Sequence, residues 1–86
     1  DLAGRESLVN TLAELAQDQY APATVLVTHH VEEIPRGITH VMLLKEGNIV
    51  AAGPLRETLT AENLTKTFDI ELSLVEADGR WAARAL

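Results

Sequence analysis

Three histidines and two adjacent glutamates are the side chains here best suited to move a proton or hold an ion at neutral pH. His29 and His30 follow directly on Thr24-Val25-Leu26-Val27-Thr28. That run is short, β-branched and without polar alternation, which predicts a strand buried on both faces, as in a parallel sheet. Ligand sites of open α/β sheets gather outside the carboxyl ends of the strands. An imidazole at His29 would donate to an anionic ligand from a rigid platform. The other reading is a loop histidine hydrogen-bonded to backbone. Position alone leaves both open.

A metal site built from His29, His30 and His40 meets a geometric obstacle. Adjacent residues on an extended backbone point to opposite sides, so His29 and His30 cannot easily share one ion. No His-Glu-x-x-His spacing is present. His30 reads as a solvent-facing residue or a cap for the next turn, and His40 as a packed structural histidine within an apolar strand. Glu32 and Glu33 diverge by about 100° on a short helix and do not face one site. They read as a solvated, charged turn, favourable near a helix start. There is no cysteine, no serine-triad pattern and no Gly-x-x-x-x-Gly-Lys-Ser/Thr phosphate loop. These residues hold no complete active site by themselves.

The elements that would position His29 are legible around it. Leu8, Val9, Leu12, Leu15 and Ala16 make an apolar stripe, so 5–19 reads as an amphipathic helix. Asp1 or Gly4 could cap it, and Tyr20-Ala21-Pro22 ends it. Glu6, Glu14 and Asp18 on its other side read as a solubilising surface. Before the 24–28 strand, this helix looks like the crossover of a βαβ unit without its first strand. Val31 to Ile34 fits one short helical turn, stopped by Pro35-Arg36-Gly37. Residues 38–44 read as a second apolar strand, parallel to 24–28. Lys45-Glu46-Gly47-Asn48 predicts a tight turn with Gly47 at positive φ, and 49–52 the antiparallel return. Residues 54–68 suggest one or two short helices, with Thr60 as an N-cap and Leu55, Leu59, Leu64 and Phe68 buried. Ile70, Leu72 and Leu74 alternate with Glu71, Ser73 and Val75. Asp78-Gly79 is a strong hairpin signal, with 80–86 returning.

Composition bounds the function class. The chain is 47% hydrophobic and 23% charged, as in a globular fold, and its formal charge of −6 argues against a nucleic-acid-binding module. No apolar stretch approaches the ~20 residues of a membrane span. A core this thin, the missing first strand and a first residue that is not Met predict a piece of something larger.

Three stretches resemble the C-terminal part of an ABC-transporter ATP-binding domain. They are Asp1-Leu2-Ala3-Gly4-Arg5-Glu6, then 23–33 around Thr28-His29-His30, then 41–54, where Lys45-Glu46-Gly47-Asn48 and Gly53 match the family's terminal hairpin and its exit glycine. The resemblance runs through residues 1 to about 60 and rests on four ordered features. It implies an α/β fold, the C-terminal part of a P-loop (RecA-like) ATPase core, with parallel strands, a terminal β-hairpin and short helices. It implies a segment 1–68 of that domain, with 69–86 a short hairpin extension matching no shared motif. Thr28-His29 matches the switch-histidine loop, and Asp1 the aspartate closing the D-loop. In that family the switch histidine contacts the ATP γ-phosphate and helps position the attacking water. The D-loop aspartate lies at the interface with a second ATP-binding domain. By matching position, those roles fall on His29 and Asp1.

The resemblance further implies ATP and Mg2+ as cofactors, with the ligands upstream of Asp1, where the phosphate loop, ABC signature and catalytic Glu would lie. The implied activity is ATP hydrolysis coupled to solute transport, by the full-length domain and not by this segment alone. The implied partners are a second ATP-binding domain and membrane permease subunits, on the cytoplasmic face of the membrane. The family usually has Asp after the switch histidine. Here it is His30, as in some bacterial members, which bears on subgroup. Two competing readings are a soluble ABC-type ATPase not coupled to transport, and a small non-catalytic α/β interaction module.

Overall fold

Helix α1 runs Leu2–Ala16 in the computed structural model, which describes residues 1–86. Of the two candidate caps, Asp1 does the capping: its Oδ1 accepts from the Gly4 N–H at 2.6 Å. The helix therefore starts three residues before the predicted 5. It also stops before 19. Asp18 Oδ1 accepts from the Tyr20 N–H at 2.9 Å, an Asx turn that competes with helix continuation. Val9 and Ala13 are buried, whereas Leu8 and Leu15 of the predicted stripe are exposed.

Residues 22–28 form neither helix nor strand, which corrects the predicted buried strand at 24–28. Val25 is 88% and Val27 85% exposed. The expected parallel pairing with 38–44 is also absent, because β1 pairs with β2 alone. The physical reason is that a strand is stabilised by its neighbours' backbone groups and side chains. The apolar run is there, but nothing within this chain pairs with it. A 3₁₀ turn follows at Val31–Glu33, within the predicted helical turn.

Strands β1 (His40–Lys45) and β2 (Asn48–Pro54) form an antiparallel hairpin. Glu46 and Gly47 both take positive φ, 52° and 77°, as a two-residue hairpin turn of this hand requires. Leu43 pairs with Ala51 and Leu44 with Ile49, so Val50 is the extra residue of a bulge. A Cβ on Gly47 would meet nothing within 4 Å, so any penalty there is backbone strain and not collision. Gly47→Val should therefore destabilise by ~1–3 kcal/mol. A melting temperature equal to that of the unsubstituted chain would show that the turn tolerates another backbone conformation.

Two short helices follow, α2 (Leu55–Thr58) and α3 (Ala61–Phe68), and both lie against β1 and β2. Thr60 caps α3 as predicted, its hydroxyl accepting from the Asn63 N–H at 3.1 Å. Leu59 and Leu64 are buried there, but Phe68 is exposed, against expectation. Phe68 is the last helical residue, and Asp69 follows it in the left-handed conformation at φ 57°. Asp69 also pairs with Lys45 at 2.6 Å. A second hairpin, β3 (Leu72–Ala77) and β4 (Arg80–Ala85), turns at Asp78-Gly79 with φ of 52° and 75°.

The chain forms two compact units. One comprises Asp1–Ile38 with the hairpin tip Glu76–Ala82; the other comprises Thr39–Val75 with Ala83–Leu86. Val9, Ala13, Ile34 and Trp81 make the core of the first, Leu59 and Leu64 that of the second. No helix is long and apolar enough to cross a membrane.

Candidate functional site

The loop carrying the histidines is closed by its own side chains. The Thr28 hydroxyl donates to the Glu33 carboxylate, and the His30 N–H donates to Thr28 Oγ1 at 3.1 Å. The Glu33 N–H donates to the His30 carbonyl at 3.0 Å, and the Ile34 N–H to the Val31 carbonyl at 3.1 Å. Pro35 then ends the turn, since it has no N–H to continue it. His29 sits exposed within this closed loop. His30 is exposed too; it occupies the cap position of the 3₁₀ turn, but its side chain makes no capping bond. The backbone is thus held while the His29 ring faces solvent, an arrangement suited to contacting a ligand from outside.

Glu33 is not the solvated charge expected of it. It is half-buried and accepts from Thr28. Asp1 lies in the same unit and shares a shallow surface concavity with Leu2, Gly4, Arg5, Leu8 and Glu33. His40 belongs to the other unit and is exposed, which corrects its reading as a packed histidine. The alternation of β1 is the cause: Val41 and Leu43 are half-buried, while His40, Met42 and Leu44 are exposed. Its Nδ1 lies 2.9 Å from Thr39 Oγ1.

The largest surprise is Glu6, predicted to be a solubilising residue. Arg80 grips it with two bonds, Nη1 to Oε1 and Nη2 to Oε2, each 2.8 Å. Nη2 also donates to the Glu32 carbonyl at 2.7 Å. The hydrogen bond from Arg80 holds the Glu6 carboxyl below its usual range, against opposing desolvation and with further help from the charges of Arg80, Arg5 and Arg36. A carboxyl depressed in the folded state stabilises that state above the unfolded pKa, ~4.3. That contribution is lost as pH falls through the folded value. The acid-side fall in stability, followed by the emission of buried Trp81, should therefore flatten in Glu6→Gln. Parallel acid limbs in the two proteins would show that the pair does not contribute.

No family model matches the chain. Individual proteins do. An ABC transporter ATP-binding protein of Streptococcus mutans is 32% identical over 80 residues, which cover 93% of this chain and 31% of the relative. An ABC transporter ATP-binding protein of Bacillus subtilis, YlmA, is 35% identical over 75 residues, or 87% of this chain and 28% of that protein. This chain belongs with the ABC-transporter ATP-binding proteins. The ferric enterobactin transport ATP-binding protein FepC of Escherichia coli also matches, 30% identical over 77 residues, 88% of the chain and 28% of FepC. The chain thus spans about three tenths of the length of these relatives and is a fragment with respect to them.

In this ABC-type segment no group of three or more His, Cys, Asp or Glu side chains stands together. His29 lies on a loop as a candidate residue, without the buried strand expected before it, and the clasp from Arg80 was not expected from the sequence. Arg80 lies 74 positions from Glu6, and no local periodicity links residues so far apart.

Proposed function

We propose that this chain is the γ-phosphate-sensing segment of an ABC-type ATPase, with His29 as the residue that contacts the γ-phosphate of ATP. The observation that supports this most is an exposed His29 on a loop pinned at Thr28, Glu33 and Val31. Phosphoryl transfer needs positioned donors on the transferring group more than covalent chemistry. An imidazole held by a braced backbone can donate there and help place the attacking water.

Asp1 takes the D-loop role in this reading, at an interface with a second ATP-binding domain. Its carboxylate already caps α1, so that interface would meet a helix start whose conformation is set. Residues 1–68 are the domain portion and 69–86 an added hairpin. Residues 24–28, with Val25 and Val27 open, become a strand of the parallel P-loop core when neighbouring strands are supplied. Such strands would come from the remainder of a full-length ATP-binding domain, together with the phosphate loop and the ligands of Mg2+.

Hydrolysis is coupled to solute transport through permease subunits at the cytoplasmic face of a membrane. The matched FepC is a ferric enterobactin transport ATP-binding protein, which favours this over an uncoupled soluble ATPase. The test is Mg-ATP turnover by the intact protein, comparing His29→Ala with His30→Ala. Absence of turnover in the unsubstituted protein would overturn the reading.

A further inference from the structure

The geometry points to Arg80 as a positioning residue for the His29 loop, acting from the tip of the terminal hairpin. The inference rests on the reading of His29 given above. Three observations within one compact unit carry it. First, the Arg80 guanidinium joins two elements that are distant in sequence. It forks onto Glu6 of α1 at 2.8 Å and reaches the Glu32 carbonyl at 2.7 Å, three residues beyond His29. Second, the same tip is held on the far side of the turn. The Arg36 Nε donates to the Asp78 carbonyl, and a Cβ on Gly79 would stand only 3.2 Å from Arg36 Cγ. The turn 31–36 is therefore gripped at both ends, by Arg80 at Glu32 and through Arg36 at Asp78. Third, the guanidinium side of the clasp is sheltered, although the Glu6 side chain is 43% exposed. The Arg80 side chain is 18% exposed, its neighbour Trp81 is buried, and Arg80 Nε is buried without a partner.

A bidentate, charge-assisted contact is directional as well as attractive. Lysine cannot reproduce it, because one ammonium offers no planar fork. The carbonyl of Glu32 lies within the turn closed by the Glu33-to-His30 bond. Holding that carbonyl fixes where the His30 backbone, and with it His29, can sit. A misplacement of about 1 Å at a catalytic group can lower a rate ~10²-fold. A loop that remains closed by Thr28 and Glu33 should lose less than that.

The test measures ATP turnover of the intact protein in four forms: unsubstituted, Arg80→Ala, His29→Ala and the double variant. Arg80→Ala should lower kcat about tenfold with KM for ATP within about twofold. In the His29→Ala background it should cost less than about twofold, since a residue that acts through His29 has nothing left to position. Arg80→Lys should retain the melting temperature more closely than alanine but still lose kcat, and it serves if the alanine variant fails to fold. Unchanged kcat in Arg80→Ala or Arg80→Lys beside a deficient His29→Ala would overturn the role of Arg80 and leave His29 standing. A loss that multiplies in the double variant would also overturn it, as a general structural effect. An unaffected His29→Ala would instead remove the reading of His29 itself.

Discussion

His29→Ala in the intact protein is expected to lower ATP turnover ~10²–10³-fold, or ~2.7–4 kcal/mol of transition-state stabilisation. The imidazole is the exposed group at the centre of a loop whose other bonds are internal: Thr28 to Glu33, and Glu33 to His30. Removing the ring leaves those bonds in place, so the loop should survive the substitution. A donor that acts on the γ-phosphate matters most when charge shifts during transfer, so the loss belongs in the rate constant. Nucleotide affinity should stay within a few-fold, because base, sugar and inner phosphates would be held by other parts of the domain. His30→Ala is the internal control. It occupies the neighbouring position without a capping bond and should leave turnover near the unsubstituted value. Equal losses at the two positions, or a loss seen mainly in affinity, would return His29 to the status of an ordinary loop histidine.

Features set by local chemistry were legible in the sequence. Gly47 and Asp78-Gly79 demanded positive φ and hairpin turns, and both hairpins formed around them. Thr60 offered a hydroxyl at a helix start and capped α3. Pro35 and Gly37 stopped the turn after His30. Features that depend on distant partners were not legible. The valines of 24–28 carry a strand-like pattern, but no strand of this chain pairs with them and their side chains stand open. His40 was read from the apolar company of its neighbours, yet the period of two in β1 places it on the open face. Phe68 was assigned to the core by helical spacing, but α3 ends at that residue.

The site divides along the same line. Thr28-His29 could be proposed from the sequence because the residues themselves, after an apolar run, carry the pattern. Its support was not, because Glu6, Glu32 and Arg80 each look like unremarkable surface charges in their own segments. Only the return of β4 brings the guanidinium to them. Charge-assisted clasps between remote segments have no signature in a single sequence.

Leu64→Ala should be the most damaging core substitution in the unit formed by β1, β2, α2 and α3. Leu64 is 1% exposed, and with Leu59 it makes the buried apolar core there. Truncating a buried leucine to alanine removes transfer free energy and leaves a cavity, together ~2–5 kcal/mol. The small unit has few other buried side chains to move into the gap, which favours the upper half of that range. Helix propensity opposes the loss only slightly, since alanine is the better helix former by a few tenths of a kcal/mol. The Thr60 cap and the Asn63 side-chain bond to the Thr58 carbonyl at 2.8 Å remain intact, so packing alone is removed. Amide exchange at the end of α3 provides the readout. Protection of the Phe68 N–H should fall by about two and a half to three and a half decades, at 1.4 kcal/mol per decade. Phe68→Ala is the comparison: 47% exposed at the helix terminus, it should change protection by well under a decade. If the two substitutions cost the same, Leu64 is not the centre of this core, and the exposed Phe68 ring contributes as much as the buried side chain.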